Sequence, residues 1–494
     1  MTTKSSPAAP LDAIIIGSGF GGLGMAIQLD RAGISHFLLL EKAADIGGTW
    51  RDNHYPGSGC DVPSHLYSYS FEPRTSWPHK YARQDEIHAY IRHCADKYHL
   101  RQRIRLNCAV SDAHFDAESG CWQVTTAGGE TLVARNLIAA TGQLNRPLMP
   151  NIEGLGSFAG PAFHSAEWQH DVDLKGKRVA VIGTGASAIQ FVPQIVPEVA
   201  QLDLYQRNAA WVLPKDDCEY SDSRRRWLSR LPLLHRLDRL DRLWQYLTHE
   251  VRALAFVHFP ALVKSSERAA KRHLDRQVSD PAKRAALTPD YPMGCKRILI
   301  SNNYYPALDQ KHVNIVSDGI EKIVPEGVVT NDGTLHPADV LTYGTGFAAT
   351  EFLAPIRISG LDGKDLNDAW RDGAEAYKGI SVAGFPNLYV LYGPNTNLGH
   401  NSIIYMLESQ FRYVVACVKA VRDRGLRYLD LQPEVQARYN RQLQDDARGT
   451  VWARGCQSWY LTADGKQTVN WPGFTFTYRY MTRKPTWSDY VQVR

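Results

Sequence analysis

The stretch AIIIGSGFGG, residues 13–22, decides the fold of the first part of the chain. Four apolar residues predict a buried β-strand, and the glycines Gly17, Gly19 and Gly22 then form the pattern GxGxxG. Apolar residues at helical spacing continue to Gly33, where a helix is expected to end. A strand, a glycine-rich turn and a helix in this order predict a parallel-sheet domain that binds a dinucleotide.

The residues around this turn fit the chemistry of a dinucleotide. Gly17 permits the tight turn, Gly19 lets the backbone approach a pyrophosphate, and Gly22 lets the helix pack on the sheet. The helix amino terminus offers free N–H groups and a partial positive charge to the phosphates. The next predicted strand, 37–40, ends at Glu41, whose carboxylate can accept hydrogen bonds from a ribose diol. A site so close to the amino terminus is typical of permanently bound FAD, whereas the alternative is a purely structural glycine turn.

The same pattern recurs at RVAVIGTGASA, residues 178–188. Here the turn reads GxGxxA, and the following strand, 202–206, leads to Arg207 instead of an acid. A carboxylate would repel a 2′-phosphate, whereas a guanidinium can bind it with two parallel hydrogen bonds. The second site is therefore predicted to prefer NADPH over NADH, unless Arg207 is an ordinary surface residue.

These units predict an α/β protein with two dinucleotide-binding Rossmann-like domains, the NADP domain inserted in the FAD domain. The strand-like runs 340–343 and 388–392 are assigned to the FAD domain, completed after the insertion. The segment 221–281 is rich in arginine and leucine and predicts a helical insertion. The predicted parts are 1–145 for the FAD-binding domain, 146–335 for the NADP-binding domain with its insertion at about 221–281, and 336–494 for the second part of the FAD-binding domain and a C-terminal arm.

The composition limits the function classes. The 494 residues carry a net charge of only +5, which favours a mildly basic enzyme over a nucleic-acid-binding protein. The eight cysteines show no CxxC pair, so we expect free thiols, no metal site and a cytoplasmic location. The apolar stretch 253–263 is too short to span a bilayer, and we expect buried packing there, with interfacial membrane contact as the less favoured alternative.

A motif between the two glycine turns carries a resemblance. Residues 158–168 read FAGPAFHSAEW and match FxGxxxHxxxW. The chain resembles the Baeyer–Villiger monooxygenases, especially those close to the 4-hydroxyacetophenone-oxidising type, over nearly its whole length. The family usually has Pro or Asp at the position of Gln169. Related flavin monooxygenases that oxidise nitrogen or sulfur carry a looser form of this motif. Trp168 favours the Baeyer–Villiger monooxygenases over these relatives. For His164 the resemblance implies a role in linking and moving the domains, not direct chemistry.

Three further stretches resemble the family and imply the site. The stretches GGTW at 47–50 and YPGSGCD at 55–61 resemble the family's loop beside the flavin ring. The stretch GCKR at 294–297 resembles the segment that carries the active-site arginine. Residues 395–403 resemble the turn into a helix that faces the flavin. The resemblance implies Arg297 as the catalytic cation and Asp61 as the partner that holds it. The implied FAD contacts are Gly17, Ser18, Gly19, Phe20, Gly22, Glu41, Gly48, Thr49, Trp50, Asp61, Tyr67, Val110, Thr141, Gly142 and Ile403. The implied NADP contacts are Gly183, Thr184, Gly185, Ala186, Ser187, Ala188, Arg207, Asn208, Lys296 and Arg297.

The resemblance implies an FAD-dependent enzyme that uses NADPH and O₂ to convert ketones to esters or lactones through a peroxyflavin, with sulfoxidation allowed. One alternative is a flavin monooxygenase that oxidises nitrogen or sulfur. A flavoprotein disulfide reductase is a distant alternative, because Cys60 has no near cysteine partner. A third is a binding module that uses the basic segment 221–281. The expected partners are a small ketone or sulfide and O₂; the particular ketone, the regiochemistry, the oligomeric state and the roles of the insertion and the arm stay open.

Overall fold

The computed structural model describes residues 9–224, 234–453, 455, 458–462 and 464–494, without the side chains of residues 234–238 and 260. The strands of the described residues are β1 Ala13–Ile16, β2 Phe37–Leu40, β3 Ile104–Arg105, β4 Val110–Asp116, β5 Cys121–Thr126, β6 Thr131–Ala134, β7 Leu137–Ala139, β8 Ala162–His164, β9 Arg178–Ile182, β10 Gln201–Tyr205, β11 Val212–Leu213, β12 Leu299–Ile300, β13 Val313–Val316, β14 Ile320–Val324, β15 Gly327–Thr330, β16 Leu335–Pro337, β17 Val340–Tyr343, β18 Arg357–Ser359, β19 Leu388–Val390, β20 Tyr428–Leu431 and β21 Tyr490–Val493. The α-helices described are Phe20–Arg31, Thr49–Asp52, Gln84–Lys97, Ala188–Ile195, Leu234–Ala253, Val263–Gln277, Pro281–Ala286, Tyr304–Leu308, Leu366–Ala369, Ile403–Asp423, Pro433–Arg448 and Thr475–Met481.

The first sheet is built around the strand that opens the glycine motif. Its order is β19-β7-β1-β2-β3, and its paired strands are parallel. All four residues of β1 are buried because the sheet is covered on both faces. The helix Phe20–Arg31 follows the turn, and Gly33 takes a positive φ of 73° just after it, which confirms the predicted stop.

The second sheet has the order β13-β10-β9-β17-β8 and is also parallel. Its strands lie in sequence between β7 and β19 of the first sheet, which confirms a second Rossmann-like unit inserted in the first.

One strand assignment was wrong. The run 340–343 forms β17, which pairs with β9 and β8 in the second sheet and not with the first. The predicted boundary at 336 therefore cuts the second sheet. A short apolar strand fits either parallel sheet, and only its hydrogen-bonded neighbours decide between them. The run at 388 forms β19 and pairs with β7, as expected.

Smaller sheets complete the molecule. Strands β18, β4, β5 and β6 form one, β14, β15 and β16 a second, β11 and β12 a third. The last strand, β21, pairs antiparallel with β20, so the end of the C-terminal arm is part of the folded body.

The segment 221–281 is helical where it is described, in Leu234–Ala253 and Val263–Gln277. Its residues 225–233, including leucines 228 and 231, lie outside the described residues. In the apolar stretch, Val257 and Val263 are buried as expected, but Phe259 and Leu262 are exposed, so the expectation of burial was wrong for these two. None of the described helices is both long and apolar enough to cross a bilayer.

The expectation of free thiols was wrong for one cysteine among the described residues. Cys295 is disulfide-bonded. Cysteines 60, 94, 108, 121, 218 and 417 are free, as predicted, and Cys456 lies outside the described residues. Cysteine spacing along the sequence does not show which thiols approach each other in the fold.

Candidate active site

The first glycine turn is as tight as its sequence predicts. Gly17 has φ of 102°, and a Cβ atom there would lie 2.6 Å from the carbonyl oxygen of Ala140. A Cβ on Gly22 would lie 1.9 Å from the carbonyl oxygen of Gly17. Only glycine fits at these two positions, because any side chain would collide with the backbone.

The backbones of Gly19 and Gly48 pack closely against each other at the helix amino terminus. A Cβ on Gly48 would lie 3.3 Å from the Cα atom of Gly19, and one on Gly19 would lie 3.7 Å from the Cα atom of Gly48. Gly19 precedes the helix Phe20–Arg31 and has no side-chain cap, so helix N–H groups are available at this end. The bare backbone of these glycines and the helix end fit the pyrophosphate of FAD.

Glu41 is buried at the end of β2. Its carboxylate accepts hydrogen bonds from the backbone N and the hydroxyl of Ser18, at 3.0 and 2.7 Å, and forms an ion pair with Arg51 at 3.0 Å. The Ser18 hydroxyl can rotate, so one carboxylate oxygen can accept from a ribose hydroxyl instead. The contact of Glu41 with the ribose stays a prediction.

Three aromatic side chains near the turn pack together. The Tyr67 ring meets Phe20 and Trp50 edge to face, with centroids 5.4 and 5.6 Å apart, and Trp50 Nε1 donates to the Tyr67 hydroxyl at 3.2 Å. Burial raises the pKa of Tyr67 far above its usual range, so this hydroxyl stays neutral. The cluster joins the glycine turn to the loop that carries Asp61.

Arg297 and Asp61 form an ion pair between the two dinucleotide-binding units. Arg297 Nη2 lies 3.0 Å from Asp61 Oδ2, and the Arg297 side chain is 44% exposed. Burial is the largest influence and opposes the charge of Arg297, but the charge of Asp61 acts together with other neighbouring side chains, and the pKa of Arg297 is raised. The other carboxylate oxygen, Asp61 Oδ1, is buried without a hydrogen-bond partner among the described residues. The site thus combines a permanent cation that is partly exposed with an acceptor that still has capacity.

Two tyrosines that the sequence motifs did not indicate act on this ion pair. Tyr460 and Tyr392 interact electrostatically with Arg297 and help to raise its pKa. Tyr392 donates to Asn397 Oδ1 at 2.5 Å and has a positive φ of 57°. Burial raises the pKa of Tyr460 to about 12. The position of Tyr392 just after β19 could have indicated a functional residue, because ligands bind at the carboxyl ends of parallel strands. No sequence pattern indicated Tyr460.

The remaining predicted FAD contacts lie at the ends or beginnings of secondary-structure elements. Thr141 and Gly142 follow β7, and the Thr141 Cα atom would lie 3.6 Å from a Cβ on Gly17. Val110 begins β4. Ile403 begins the helix Ile403–Asp423, whose Ser402 cap accepts from the backbone N of residue 404 at 3.3 Å. Their contacts with FAD, like those of Thr49, stay predictions.

The second glycine turn repeats the geometry of the first. Gly183 has φ of 113°, and a Cβ there would lie 2.4 Å from the carbonyl oxygen of Gly344. Gly185 has nothing closer than 3.8 Å to its Cβ position, so the backbone is open for a ligand. Ala188 is fully buried and begins the helix Ala188–Ile195. The neighbours Thr184, Ala186 and Ser187 complete this turn.

A basic cluster lies where the second sheet would receive a 2′-phosphate. Lys296 Nζ donates to Asn208 Oδ1 at 2.7 Å, and Arg207 is exposed beside them. Burial and the positive charge of Arg207 lower the pKa of Lys296. The positive charges of Arg207 and Lys296 repel each other, and the negative charge of a bound phosphate would stabilise both. The cluster therefore fits NADPH.

Gln190 connects the two units. Its Oε1 accepts from the Tyr55 hydroxyl at 2.9 Å and from the Gly59 backbone N at 3.3 Å, and its Nε2 donates to the Gly59 carbonyl at 3.0 Å. Gln190 thus holds the loop that leads to Asp61 against the second unit. The sequence motifs did not mark this residue.

Comparison with known proteins identifies the family. The chain is 46% identical to a Baeyer–Villiger monooxygenase of Pseudomonas aeruginosa, over 98% of this chain and 92% of that protein. It is 45% identical to one of Streptomyces coelicolor, over 97% and 92%. The chain belongs to the Baeyer–Villiger monooxygenases.

Solved structures agree with this Baeyer–Villiger family. A steroid monooxygenase bound to NADP is 30% identical, with a TM-score of 0.86, over 98% of this chain and 100% of that one. Cyclohexanone monooxygenase from Rhodococcus sp. Phi1 bound to NADP⁺ is 26% identical, with a TM-score of 0.87, over the same shares. A broader family model, described as pyridine nucleotide-disulphide oxidoreductase, matches residues 14–228.

The family fingerprint lies inside the second unit. A Cβ on Gly160 would lie 2.4 Å from the carbonyl oxygen of Asp339, and the Trp168 ring packs on Phe163 with centroids 5.2 Å apart. His164 is buried, its Nδ1 accepts from a backbone N, and burial lowers its pKa. A neutral, buried imidazole fits the expected structural role, which stays a prediction.

Proposed function

We propose that this Baeyer–Villiger monooxygenase binds FAD at the first glycine turn and NADPH at the second, and converts ketones to esters or lactones with O₂. The observation that carries the proposal is the Arg297–Asp61 ion pair between the two units. It lies beside the aromatic cluster of Tyr67 and carries a permanent charge where both cofactors would meet.

When bound, FAD supplies oxygen activation and NADPH the reducing equivalents. The FAD ligands are those of the first turn, Glu41 and the loop that begins at Gly48. The NADP ligands are those of the second turn together with Arg207, Asn208 and Lys296. The close backbone approaches and the paired cations at the two sites support both assignments.

Arg297 has an electrostatic role in this proposal. Negative charge develops on the ketone oxygen as the carbonyl is attacked, and a fixed guanidinium stabilises it without needing a proton transfer. Asp61 is a positioning residue: it holds one side of the guanidinium and leaves the rest exposed to the substrate. Its unpartnered Oδ1 can accept a further hydrogen bond from a bound ligand.

The test is Arg297→Ala, with ester formation, NADPH consumption and FAD content measured on a panel of ketones. We expect FAD to be retained, NADPH to be consumed slowly, and ester formation to fall by about 10² to 10³. Asp61→Asn is the companion variant and should lower ester yield less, because the cation remains. Ester formation at a near-normal rate by Arg297→Ala would refute the role of the arginine.

The structure weighs against disulfide reduction. Cys60, the residue before Asp61, is buried, and burial raises its pKa to about 12. A reactive thiol needs a lowered pKa. Oxidation of sulfur or nitrogen does not require the Arg297–Asp61 pair, so a ketone and a sulfide tested on Arg297→Ala distinguish the two activities.

The free cysteines support our proposal of a cytoplasmic enzyme, because reducing compartments keep thiols free. The disulfide of Cys295 is the exception. Cell fractionation of the native protein tests this location, and recovery from an extracytoplasmic fraction would contradict it.

A further inference from the structure

The helix Leu234–Ala253, called here the insertion helix, has its apolar side in solvent. Leu240, Leu243, Trp244, Leu247 and Val251 are exposed, and Trp244 has 67% of its surface in solvent. Their spacing places them on one face of the helix. The opposite face buries the polar residues Gln245 and His249, and Glu250 is buried at the flank of the exposed face. This is the reverse of the usual arrangement, in which the apolar face meets the protein core.

Hydrogen bonds fix the insertion helix in this orientation. Glu250 is buried, and its carboxylate accepts from Thr475 N at 2.6 Å, from Thr475 Oγ1 at 2.8 Å and from Asn401 Nδ2 at 2.7 Å. Tyr246 adds a hydrogen bond to Thr475 Oγ1 at 3.0 Å. A rotation that buried the leucines would leave the carboxylate without these partners, which is costly. The apolar face is therefore held outward.

The exposed apolar surface continues beyond the insertion helix. Phe259 and Leu262, in the turn that follows, are 59% and 53% exposed. Phe474, which precedes the C-terminal helix Thr475–Met481, packs on His258 with ring centroids 5.0 Å apart and on the exposed Phe476 at 4.9 Å. Surfaces of this kind that join several elements mark interaction sites.

The net charge of the segment to which the insertion helix belongs indicates what covers its apolar face. The segment 221–281 contains thirteen arginines and lysines against seven aspartates and glutamates. Its surplus of six exceeds the net charge of +5 of the whole chain, so the rest of the molecule is close to neutral. Exposed Arg239 lies one helical turn before Leu243, and exposed Lys264 follows Leu262 closely. A second copy would bring two positive segments together, whereas an anionic surface would attract them.

We propose that the insertion helix and the turn after it dock on an anionic lipid bilayer. The leucines, Trp244 and Phe259 enter the interface between headgroups and acyl chains, and the basic side chains contact lipid phosphates. Tryptophan and phenylalanine are favoured at this depth. Docking would hold the enzyme at a surface where apolar ketones concentrate.

The test is co-sedimentation of the full-length, FAD-loaded protein with phosphatidylcholine vesicles, with and without phosphatidylglycerol. We expect binding only to the anionic vesicles and release by high salt. The double variant Trp244→Ser and Leu247→Ser should lower the partition coefficient about tenfold or more, and Arg239→Glu with Lys264→Glu should lower it on anionic vesicles. Turnover of a water-soluble ketone should not change.

Leu335→Ser is the matched control, because Leu335 is an exposed leucine, 44% in solvent, on the hairpin strand β16. It should bind vesicles as the unmodified protein does. Absence of the unmodified protein from both vesicle pellets would overturn the proposal. A second result would also overturn it. If the unmodified protein is a dimer in sedimentation velocity, the Trp244 and Leu247 double variant is a monomer, and neither binds vesicles, then a second copy of the chain covers the apolar face.

Discussion

Single residues at this site owe their chemistry to neighbours that are far away in sequence. Arg297 is paired with Asp61 across 236 positions, and Lys296 titrates under the influence of Arg207. In both cases one charge comes from the end of a strand or loop in a different part of the chain. Substitutions at these positions should therefore change one measurable property without unfolding the protein.

Arg207→Ala should weaken NADPH binding and leave NADH binding nearly unchanged, because the proposed role of the guanidinium is to bind the 2′-phosphate, which NADH lacks. Loss of one charge-assisted interaction corresponds to about 1.5–3 kcal/mol, or roughly 10- to 100-fold in KM for NADPH. Steady-state kinetics with both nucleotides measures this. Arg371→Ala, at an exposed surface arginine paired with Asp368, is the control. An unaltered NADPH preference in Arg207→Ala would remove the argument.

His400 should make stability depend on pH. Burial, together with the charges of His249 and Arg252, lowers the pKa of His400 to about 3. Burial is also the main reason that the pKa of His249 is lowered to about 4. The unfolded imidazole titrates near its ordinary value of about 6.5, so His400 is neutral in both states above that pH, and the folded form loses stability as the pH falls from there toward 3. Between pH 7.5 and 5.5 the melting temperature should fall less in His400→Leu than in the unmodified protein. Equal falls would contradict this origin.

At the scale of elements, one buried acidic side chain joins the insertion helix to two other parts of the chain. Glu250 joins it to the C-terminal arm through Thr475 and to the loop before the helix Ile403–Asp423 through Asn401. The other face of the helix contributes little to the protein core because its leucines are exposed.

Glu250→Ala should lower the melting temperature, because it leaves the buried donors of Thr475 and Asn401 without an acceptor. Unsatisfied buried groups cost about 1–3 kcal/mol each. Differential scanning calorimetry of the holoenzyme measures the effect. Glu434→Ala, in the first turn of another helix, Pro433–Arg448, serves as the control. A melting temperature equal to that of the control would show that the anchor is dispensable.

At the scale of the whole molecule, each of the two parallel sheets has its own core, and both apolar and polar contacts join the two units. The ion pair of Arg297 and the hydrogen bonds of Gln190 are the contacts that bear on the site.

Gln190→Leu should leave FAD content intact but loosen the loop that leads to Asp61. We expect a lower yield of ester per NADPH and more H₂O₂, measured together in one assay. The exposed Gln442→Leu, on the helix Pro433–Arg448, is the comparison, and an unchanged yield in Gln190→Leu would argue against this link.

The sequence by itself determined the two strand–turn–helix units, since Gly17, Gly22 and Gly183 have backbone approaches that exclude any side chain. Local spacing encodes such turns completely. The sequence did not determine which sheet contains β17, because the residues of a short apolar strand do not specify the strand with which it pairs. Nor did it reveal Tyr460, Gln190, the disulfide of Cys295 or the outward apolar face of the insertion helix. These depend on contacts between distant segments, and only the tertiary structure brings such segments together.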